Sequence, residues 1–159
     1  MKPRINYLHA APAGYKAVLG LEQYVRSSGI EQRTLELIKI RASQVNGCAY
    51  CIDMHTKDAR AAGETEQRIY ALDAWRESPF YNEKERAALA LTEAVTLIRE
   101  GHVPDDVFEE ARAQFSEAEI VNLTLAIGTI NLWNRLAITC RSVPGEYQPA
   151  KSVHTTAVA

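Results

Sequence analysis

Two cysteines and a histidine lie close together at the end of the first third of the chain. Two residues separate Cys48 from Cys51, and His55 follows four residues after Cys51. Residues three or four apart share one face of a helix, so the two thiols and the imidazole would be neighbours. The thiolate is the reactive form of cysteine, and a helix N-terminus, an imidazole and a CxxC partner all favour it. This spacing is typical of a redox-active dithiol or of part of a metal site.

A turn just before the first cysteine brings a carboxylate toward this group. Asn46-Gly47 is a typical turn sequence, and apolar residues on both sides of it recur at helical spacing over about 31–46 and 48–62. Glu36 lies ten residues before the turn, and His55 lies eight or nine residues after it. In an antiparallel hairpin with a rise of about 1.5 Å per residue, these two side chains would lie at nearly the same level.

The four residues are therefore expected to follow one another in space in the order Glu36, His55, Cys51, Cys48. The carboxylate would orient the imidazole, and the imidazole would favour the thiolate, as in a generalised catalytic triad. The second thiol could then convert a sulfenic acid into a disulfide. The sequence thus predicts peroxide reduction or thiol–disulfide exchange.

Plainer interpretations of the same residues stay open. A structural zinc site uses a second pair of ligands, and Cys140, His102 and His154 are not spaced as such a pair. A histidine on a helix is more often a satisfied core or surface residue than a catalyst, and Glu36 alone would be interpreted as a solvated charge. Only the joint spacing of the four residues favours a reactive site.

Helical spacing continues through the rest of the chain, and no stretch is typical of a strand. Asn82 and Ser116 each begin a capping-box sequence, and the helix after Ser116 is apolar on almost all sides, as in a central or interface helix. We expect one all-α domain over residues 1–141, with an irregular arm over 1–11, and a polar tail over 142–159. The seven expected helices cover about 13–28, 31–46, 48–62, the stretch from Thr65 to Ser78, and those from Asn82 to Gly101, from Pro104 to Phe115 and from Ser116 to Ile138.

Composition argues against several classes of partner. The 159 residues are 47% hydrophobic and 24% charged, as in an ordinary globular protein, and the formal net charge of −2 gives no basis for binding nucleic acid or an anionic membrane. No run of about 18 apolar residues would span a membrane, and no apolar stretch typical of a signal peptide follows Arg4. Three cysteines are too few for a secreted disulfide scaffold, so we expect a cytoplasmic protein.

The pattern Glu36-x11-Cys48-x2-Cys51-x3-His55 resembles the core signature of AhpD-like alkylhydroperoxidases, within the carboxymuconolactone decarboxylase superfamily. The later sequence Asn131-Leu132-Trp133-Asn134-Arg135 is similar to the last helix of that group. The resemblance covers roughly residues 15–140. It implies an all-α, AhpD-like fold with the CxxC at the N-terminus of a central helix, and a homo-oligomer that is often a trimer or a hexamer.

By this resemblance the protein would be a cysteine peroxidase that needs no metal and no organic cofactor. Cys51 would be the peroxidatic thiol and Cys48 the resolving thiol, while His55 and Glu36 would form the proton relay that generates the thiolate. The partners would be a hydroperoxide and a thiol or dithiol reductant of unknown identity. The best-known relatives have a histidine where this chain has Tyr50. Family decarboxylases usually lack the CxxC, which disfavours lactone decarboxylation.

Overall fold

The computed structural model describes residues 2–149, and every regular element within that range is a helix or a helical turn. Eight α-helices and one 3₁₀ turn follow one another, with no strand among the described residues, which confirms the all-α prediction. Their bounds are α1 Tyr7–Ala10, α2 Pro12–Ser27, α3 Gln32–Val45, α4 Ala49–Ala61, α5 Glu66–Ala71, the 3₁₀ turn Leu72–Ala74, α6 Glu83–Thr96, α7 Asp105–Gln114 and α8 Glu117–Cys140.

Helix α3 lies at the centre of the fold. Nine of its fourteen residues are buried, and it packs against α4, α6 and α8. Leu35 and Ile38 belong to one apolar cluster of the core, and Leu37 and Ile40 belong to another. The polar residues between them are buried as well, so any charge on α3 needs a partner inside the protein.

The turn between α3 and α4 sets the register of the two helices. Gly47 has a φ of +67°, in the left-handed region that glycine adopts without a steric cost. The backbone N–H of Cys48 then donates to the carbonyl oxygen of Ser43 at 2.9 Å, which closes the end of α3. Cys48 itself is the N-cap residue of α4. The turn therefore places the first cysteine at the N-terminus of a helix, as predicted.

Two predicted capping boxes are confirmed. The Asn82 side chain accepts a hydrogen bond from the backbone N–H of Glu85 at 2.8 Å, and the Glu85 carboxylate accepts one from the N–H of Asn82 at 2.9 Å. Ser116 and Glu119 make the same reciprocal pair at the start of α8. These caps satisfy backbone donors that have no partner within the helix.

Three local expectations need correction. The helix expected to run from Asn82 to Gly101 ends at Thr96. The arm over residues 1–11 is not wholly irregular, because the Asn6 side chain accepts a hydrogen bond from the backbone N–H of His9 and caps the short helix α1. The helix that begins after Thr65 ends at Ala71, and the chain continues as a 3₁₀ turn. No helix among residues 2–149 is both long and apolar enough to cross a membrane.

Residues 142–149 are not helical and lie against α4. The Lys57 ammonium donates to the carbonyl oxygens of Gly145 and Tyr147, at 3.3 and 3.1 Å, and the Tyr147 hydroxyl lies 2.7 Å from Asp58 Oδ1. The N–H of Gly145 donates to the Asp53 carboxylate. The described part of the expected tail, residues 142–149, is therefore tied to the helix that bears the cysteines, and residues 150–159 lie outside the described range.

Candidate active site

The hairpin of α3 and α4 places Glu36 against His55. Nδ1 of the His55 ring lies 2.9 Å from Oε2 of Glu36, and both side chains are buried. The second oxygen of the carboxylate, Oε1, accepts a hydrogen bond from Gln32 at 2.7 Å. The two residues that the sequence placed at one level are therefore in direct contact.

The surroundings of Glu36 hold it as a carboxylate. Burial alone would raise its pKa, but the hydrogen bond and charge of His55, together with the charges of Lys39 and Arg26, outweigh burial and bring the pKa below the usual 4.5. An ionised carboxylate only accepts hydrogen bonds, so Nδ1 of His55 is the donor. In the neutral imidazole, Nε2 then carries the lone pair and is the nitrogen available for proton transfer.

A buried lysine that the sequence analysis missed completes the charge network. Lys39 is 1% exposed, and its Nζ lies 2.6 Å from Glu22 and 3.9 Å from Glu36. Arg26 pairs with the same Glu22 carboxylate at 3.0 Å. Burial raises the pKa of Glu22, but Lys39 and Arg26 lower it by more. The sequence signal was a lysine within an apolar helix face, three residues after Glu36.

The two cysteines of the CxxC are free thiols, and each is 1% exposed. The thiol of Cys51 donates to the sulfur of Cys48, and this interaction, together with backbone N–H groups at the start of α4, outweighs burial and lowers the pKa of Cys48 to about 7. The same interaction and burial raise the pKa of Cys51 above its usual value. The pair therefore shares one proton and titrates as a unit.

The two thiols differ in how readily they ionise. The resemblance assigned the attack on peroxide to Cys51, whereas ionisation of the reduced pair is favoured at Cys48, because Cys48 is the N-cap residue of α4 and its sulfur accepts the hydrogen bond of the Cys51 thiol. The buried side chain of Asn134 also interacts with both sulfurs and lowers both pKa values. Its Nδ2 donates to Ser43 Oγ at 3.0 Å, which ties α8 to α3 at the dithiol.

Cys51 and His55 line one cavity of about 190 Å³. Part of its wall is polar and consists of Glu22 and Arg26 from α2, together with His55. Cys48 does not line this cavity. A small molecule in the cavity would therefore meet the Cys51 sulfur and the imidazole, with the second thiol directly behind.

The remaining wall of this cavity is mostly aromatic and aliphatic. Tyr15 packs edge-on against Trp133, with ring centroids 5.6 Å apart, and Tyr7 lies 6.1 Å from Tyr15. Burial and the charges of the nearby cysteines raise the pKa of Tyr50, so its phenol stays protonated and can donate a hydrogen bond. Tyr50 therefore offers a proton donor but no second base. The further apolar lining residues are Leu19, Met54 and Ala137.

One group of three potential metal ligands occurs among residues 2–149. It consists of Glu36, His55 and Asp58, with ligand atoms within 4.8 Å of one another, and neither cysteine belongs to it. Arg26 and Lys39 already lie close to these carboxylates. The oxygen and nitrogen donors of this group are distinct from the thiolates that a structural zinc site prefers.

A family profile connects these residues to known proteins. The profile of the carboxymuconolactone decarboxylase family matches residues 12–94, more than half of the chain. This chain belongs to the carboxymuconolactone decarboxylase family. The matched segment contains Glu36, Cys48, Cys51 and His55, so all four predicted site residues lie within the matched region.

Individual proteins that are similar to this chain agree with its assignment to the family. The uncharacterised protein YdfG of Bacillus subtilis is 51% identical over 138 residues, which cover 87% of this chain and 94% of YdfG. A crystal structure from Agrobacterium tumefaciens, of a protein of unknown function that is a candidate antioxidant-defence protein AhpD, has a TM-score of 0.89 and 54% identity. It covers 92% of this chain and 100% of its own. The AhpD-like fold is therefore shown.

A more distant structure shares the fold alone. The debrominase Bmp8 has a TM-score of 0.79 at 24% identity, covering 87% of this chain and 75% of its own. A second Bmp8 structure, of a Cys-to-Ala variant, contains 2,3,4-tribromopyrrole. The same helical fold therefore occurs both in a protein named for antioxidant defence and in a protein named as a debrominase.

Proposed function

We propose that this protein is a thiol-dependent peroxidase that reduces organic hydroperoxides through a cycle of the Cys48–Cys51 dithiol and disulfide. The observation that supports this most directly is the cavity in which the Cys51 sulfur and the His55 imidazole meet, with Glu36 behind the imidazole at 2.9 Å. A peroxide reduction needs a thiolate, a proton donor for the leaving oxygen and a second thiol. The arrangement supplies all three.

The first step generates the nucleophile. The dithiol loses one proton to Nε2 of His55, and the Glu36 carboxylate stabilises the imidazolium that forms. The remaining proton of the pair moves between the two sulfurs, so that Cys51, the thiol that lines the cavity, becomes the thiolate while Cys48 is protonated. The transfer of this proton between the two sulfurs moves one negative charge from Cys48 to Cys51, so it creates no additional buried charge.

The chemical steps then follow with a balanced exchange of protons and electrons. The Cys51 thiolate attacks the terminal oxygen of the hydroperoxide, the O–O bond breaks, and the sulfenic acid of Cys51 forms. The departing alkoxide takes the proton of the His55 imidazolium and leaves as an alcohol. The Cys48 sulfur attacks Cys51, its proton goes to the departing hydroxide, and water and the disulfide are formed. Two thiols have been oxidised and one peroxide reduced.

The cavity wall favours an organic hydroperoxide over hydrogen peroxide. Tyr15 and Trp133 present ring surfaces, and Met54 and Leu19 present aliphatic surface, next to the reactive sulfur. An alkyl or aryl group buried against this wall would gain about 25 cal/mol for each Å² removed from water. Hydrogen peroxide has no group that could use this contact.

Direct conversion of peroxide by the dithiol tests the proposal. Fully reduced protein is mixed anaerobically with one equivalent of cumene hydroperoxide. We expect one equivalent of the alcohol, one intramolecular disulfide and the loss of two hydrogens by mass spectrometry. The Cys48→Ser, Cys51→Ser double variant is the control and should leave the peroxide intact. Rapid thiol–disulfide exchange without peroxide consumption would overturn the proposal in favour of a disulfide oxidoreductase, and stoichiometric zinc with unreactive thiols would favour a structural metal site.

We also propose that the protein is a homo-oligomer, a trimer or a hexamer, that associates through α8. Val121, Leu125 and Leu132 are 59, 36 and 39% exposed and follow one face of this helix, with the exposed Gly128 between them. A second copy of the chain would cover this apolar stripe. Light scattering should give an oligomeric mass that Leu132→Arg lowers and that Phe108→Arg, on α7, leaves unchanged. A monomer at micromolar concentration would overturn the proposal.

A further inference from the structure

The two cysteines of the dithiol line different cavities. Cys51 lines the cavity of about 190 Å³ that also contains His55, whereas Cys48 lines a second cavity of about 400 Å³ on the side of Gly47 and the C-terminus of α8. Tyr50 and Ala137 line both cavities and form the partition between them. A molecule in the second cavity would therefore meet Cys48 without entering the cavity of Cys51.

Two cationic side chains line the second cavity. Arg4 and Arg141 are among its lining residues, and no carboxylate side chain is among the described residues that line it. Arg4 is fixed at the end of α8, because its backbone N–H donates to the carbonyl oxygen of Cys140 at 2.8 Å and its Nη1 to that of Thr139 at 3.4 Å. Arg141 is the C-cap residue of α8. Within residues 2–149, neither guanidinium is paired with a carboxylate.

We propose that this second cavity is the entry site of the reductant, and that it selects a small thiol that carries a carboxylate. The proposal rests on the redox cycle of the proposed function, because it concerns the reduction of the Cys48–Cys51 disulfide. Arg4 and Arg141 would bind the carboxylate of the reductant and bring its sulfur to Cys48. The oxidant and the reductant would then use different cavities of the same site.

The exchange reaction follows from this placement. Thiolate attack on a disulfide is in line with the S–S bond, so a thiolate that arrives from the Cys48 cavity attacks Cys48 and expels Cys51 as a thiolate. Cys51 is thereby released into the cavity that receives the peroxide. A second reductant thiolate then attacks the reductant sulfur of the mixed disulfide, expels Cys48 as a thiolate and leaves as the reductant disulfide. Two reductant thiols are oxidised and one protein disulfide is reduced.

The low pKa of Cys48 agrees with this order of events. Its pKa of about 7 makes Cys48 a good leaving group in the second exchange, since thiols of lower pKa leave faster. In the first exchange Cys48 is bound in the mixed disulfide and no longer holds the proton of Cys51, but burial still disfavours the Cys51 thiolate and makes Cys51 the poorer leaving group. The recognition of the first thiol by the two guanidinium groups would act on this first exchange.

Reduction of disulfide prepared with diamide tests this inference independently of any peroxide chemistry. The oxidised full-length protein is reduced under stopped flow by 3-mercaptopropionate, 2-mercaptoethanol and cysteamine, which are anionic, neutral and cationic thiols of similar size. At low ionic strength, and with rates expressed per thiolate, we expect the anionic thiol to react about tenfold faster than the neutral one. The cationic thiol should be slowest, and salt should reduce the differences.

Matched variants and the site of attack complete the test. The Arg4→Gln, Arg141→Gln double variant should lose the preference for the anionic thiol, Arg141→Lys should keep part of it, and Arg99→Gln, at an exposed position outside this cavity, should keep all of it. Samples that are acid-quenched after mixing with less than one equivalent of thiol should carry the mixed disulfide on Cys48. Equal rates for the three thiols, an equal loss in the Arg99 control, or a mixed disulfide on Cys51 would overturn the inference, even if the peroxidase proposal holds.

Discussion

Replacement of Glu36 by glutamine removes the negative charge behind His55 with almost no change in shape. In the structure this carboxylate accepts from Nδ1 at 2.9 Å, and it is the hydrogen-bond partner that the structure gives to the imidazole. The amide oxygen of glutamine can accept the same hydrogen bond. The variant therefore isolates the contribution of the charge to the imidazolium that forms when the dithiol loses its proton.

The size of the effect follows from the type of hydrogen bond. A hydrogen bond to a charged group contributes about 1.5–3 kcal/mol, and one between neutral groups about 0.5–1.5 kcal/mol. The charge thus stabilises the imidazolium by about 1–1.5 kcal/mol, and 1.36 kcal/mol corresponds to a factor of ten in rate. Lys39 keeps Glu22 as its partner at 2.6 Å, so it is not left as an unpaired buried charge. We expect kcat/KM for the hydroperoxide to fall about tenfold.

The pH dependence separates this role from a merely structural one. At higher pH the thiolate forms without help from His55, so the deficit of Glu36→Gln should be largest near pH 7 and shrink as the pH rises. Single-turnover peroxide reduction between pH 6 and 9 measures this, and far-UV circular dichroism checks that the helices are intact. Glu110→Gln, an exposed carboxylate on α7, is the matched control. A Glu36→Gln variant within twofold of the native rate at every pH would refute the reasoning.

Three further predictions concern stability and the thiols. Lys39→Met leaves Glu22 with Arg26 as its remaining partner and should lower the free energy of unfolding by about 1–3 kcal/mol in urea titrations, whereas an added Glu22→Leu substitution should restore part of it. The pKa values of Glu22 and Glu36 in the folded protein lie below the usual 4.5, so the unfolded chain binds protons at a higher pH than the folded protein does. The two carboxylates therefore contribute their full stability above pH 4.5. As the pH falls below 4.5, thermal denaturation should show a progressive loss of this stability. As the pH is raised, the thiolate absorbance of the reduced protein should increase with a midpoint near pH 7. Cys51→Ala removes the hydrogen bond that lowers the pKa of Cys48, so the midpoint should move toward pH 9. An unchanged midpoint would exclude a proton shared by the two thiols.

Local sequence signals were sufficient to predict the hairpin of α3 and α4 and the contact between Glu36 and His55. Asn46-Gly47 is a turn sequence that glycine makes possible, and helical periodicity on both sides sets the rise per residue, so the level of Glu36 relative to His55 followed from counting. The capping boxes are equally local. Each of these features depends on residues within about one helical hairpin, and the structure has them where they were expected.

Features that depend on packing between distant segments could not be predicted in this way. The Lys39–Glu22 pair joins α3 to α2, and the contact of Asn134 with the dithiol joins α8 to α4. The separation of the two cavities depends on Tyr50 and Ala137, which are 87 residues apart in the sequence. Periodicity identifies the buried face of a helix, but it does not say which helix covers that face.

The most direct test of the proposed mechanism is a stopped-flow comparison of Cys51→Ser and Cys48→Ser with the native protein, all fully reduced and mixed with an organic hydroperoxide. If Cys51 is the thiol that attacks peroxide, Cys51→Ser loses the fast reaction. Cys48→Ser should still react once, and its Cys51 sulfenic acid should be trapped by dimedone without forming a disulfide. Peroxide consumption by Cys51→Ser at the native rate, or a dimedone adduct on Cys48, would contradict the proposed mechanism.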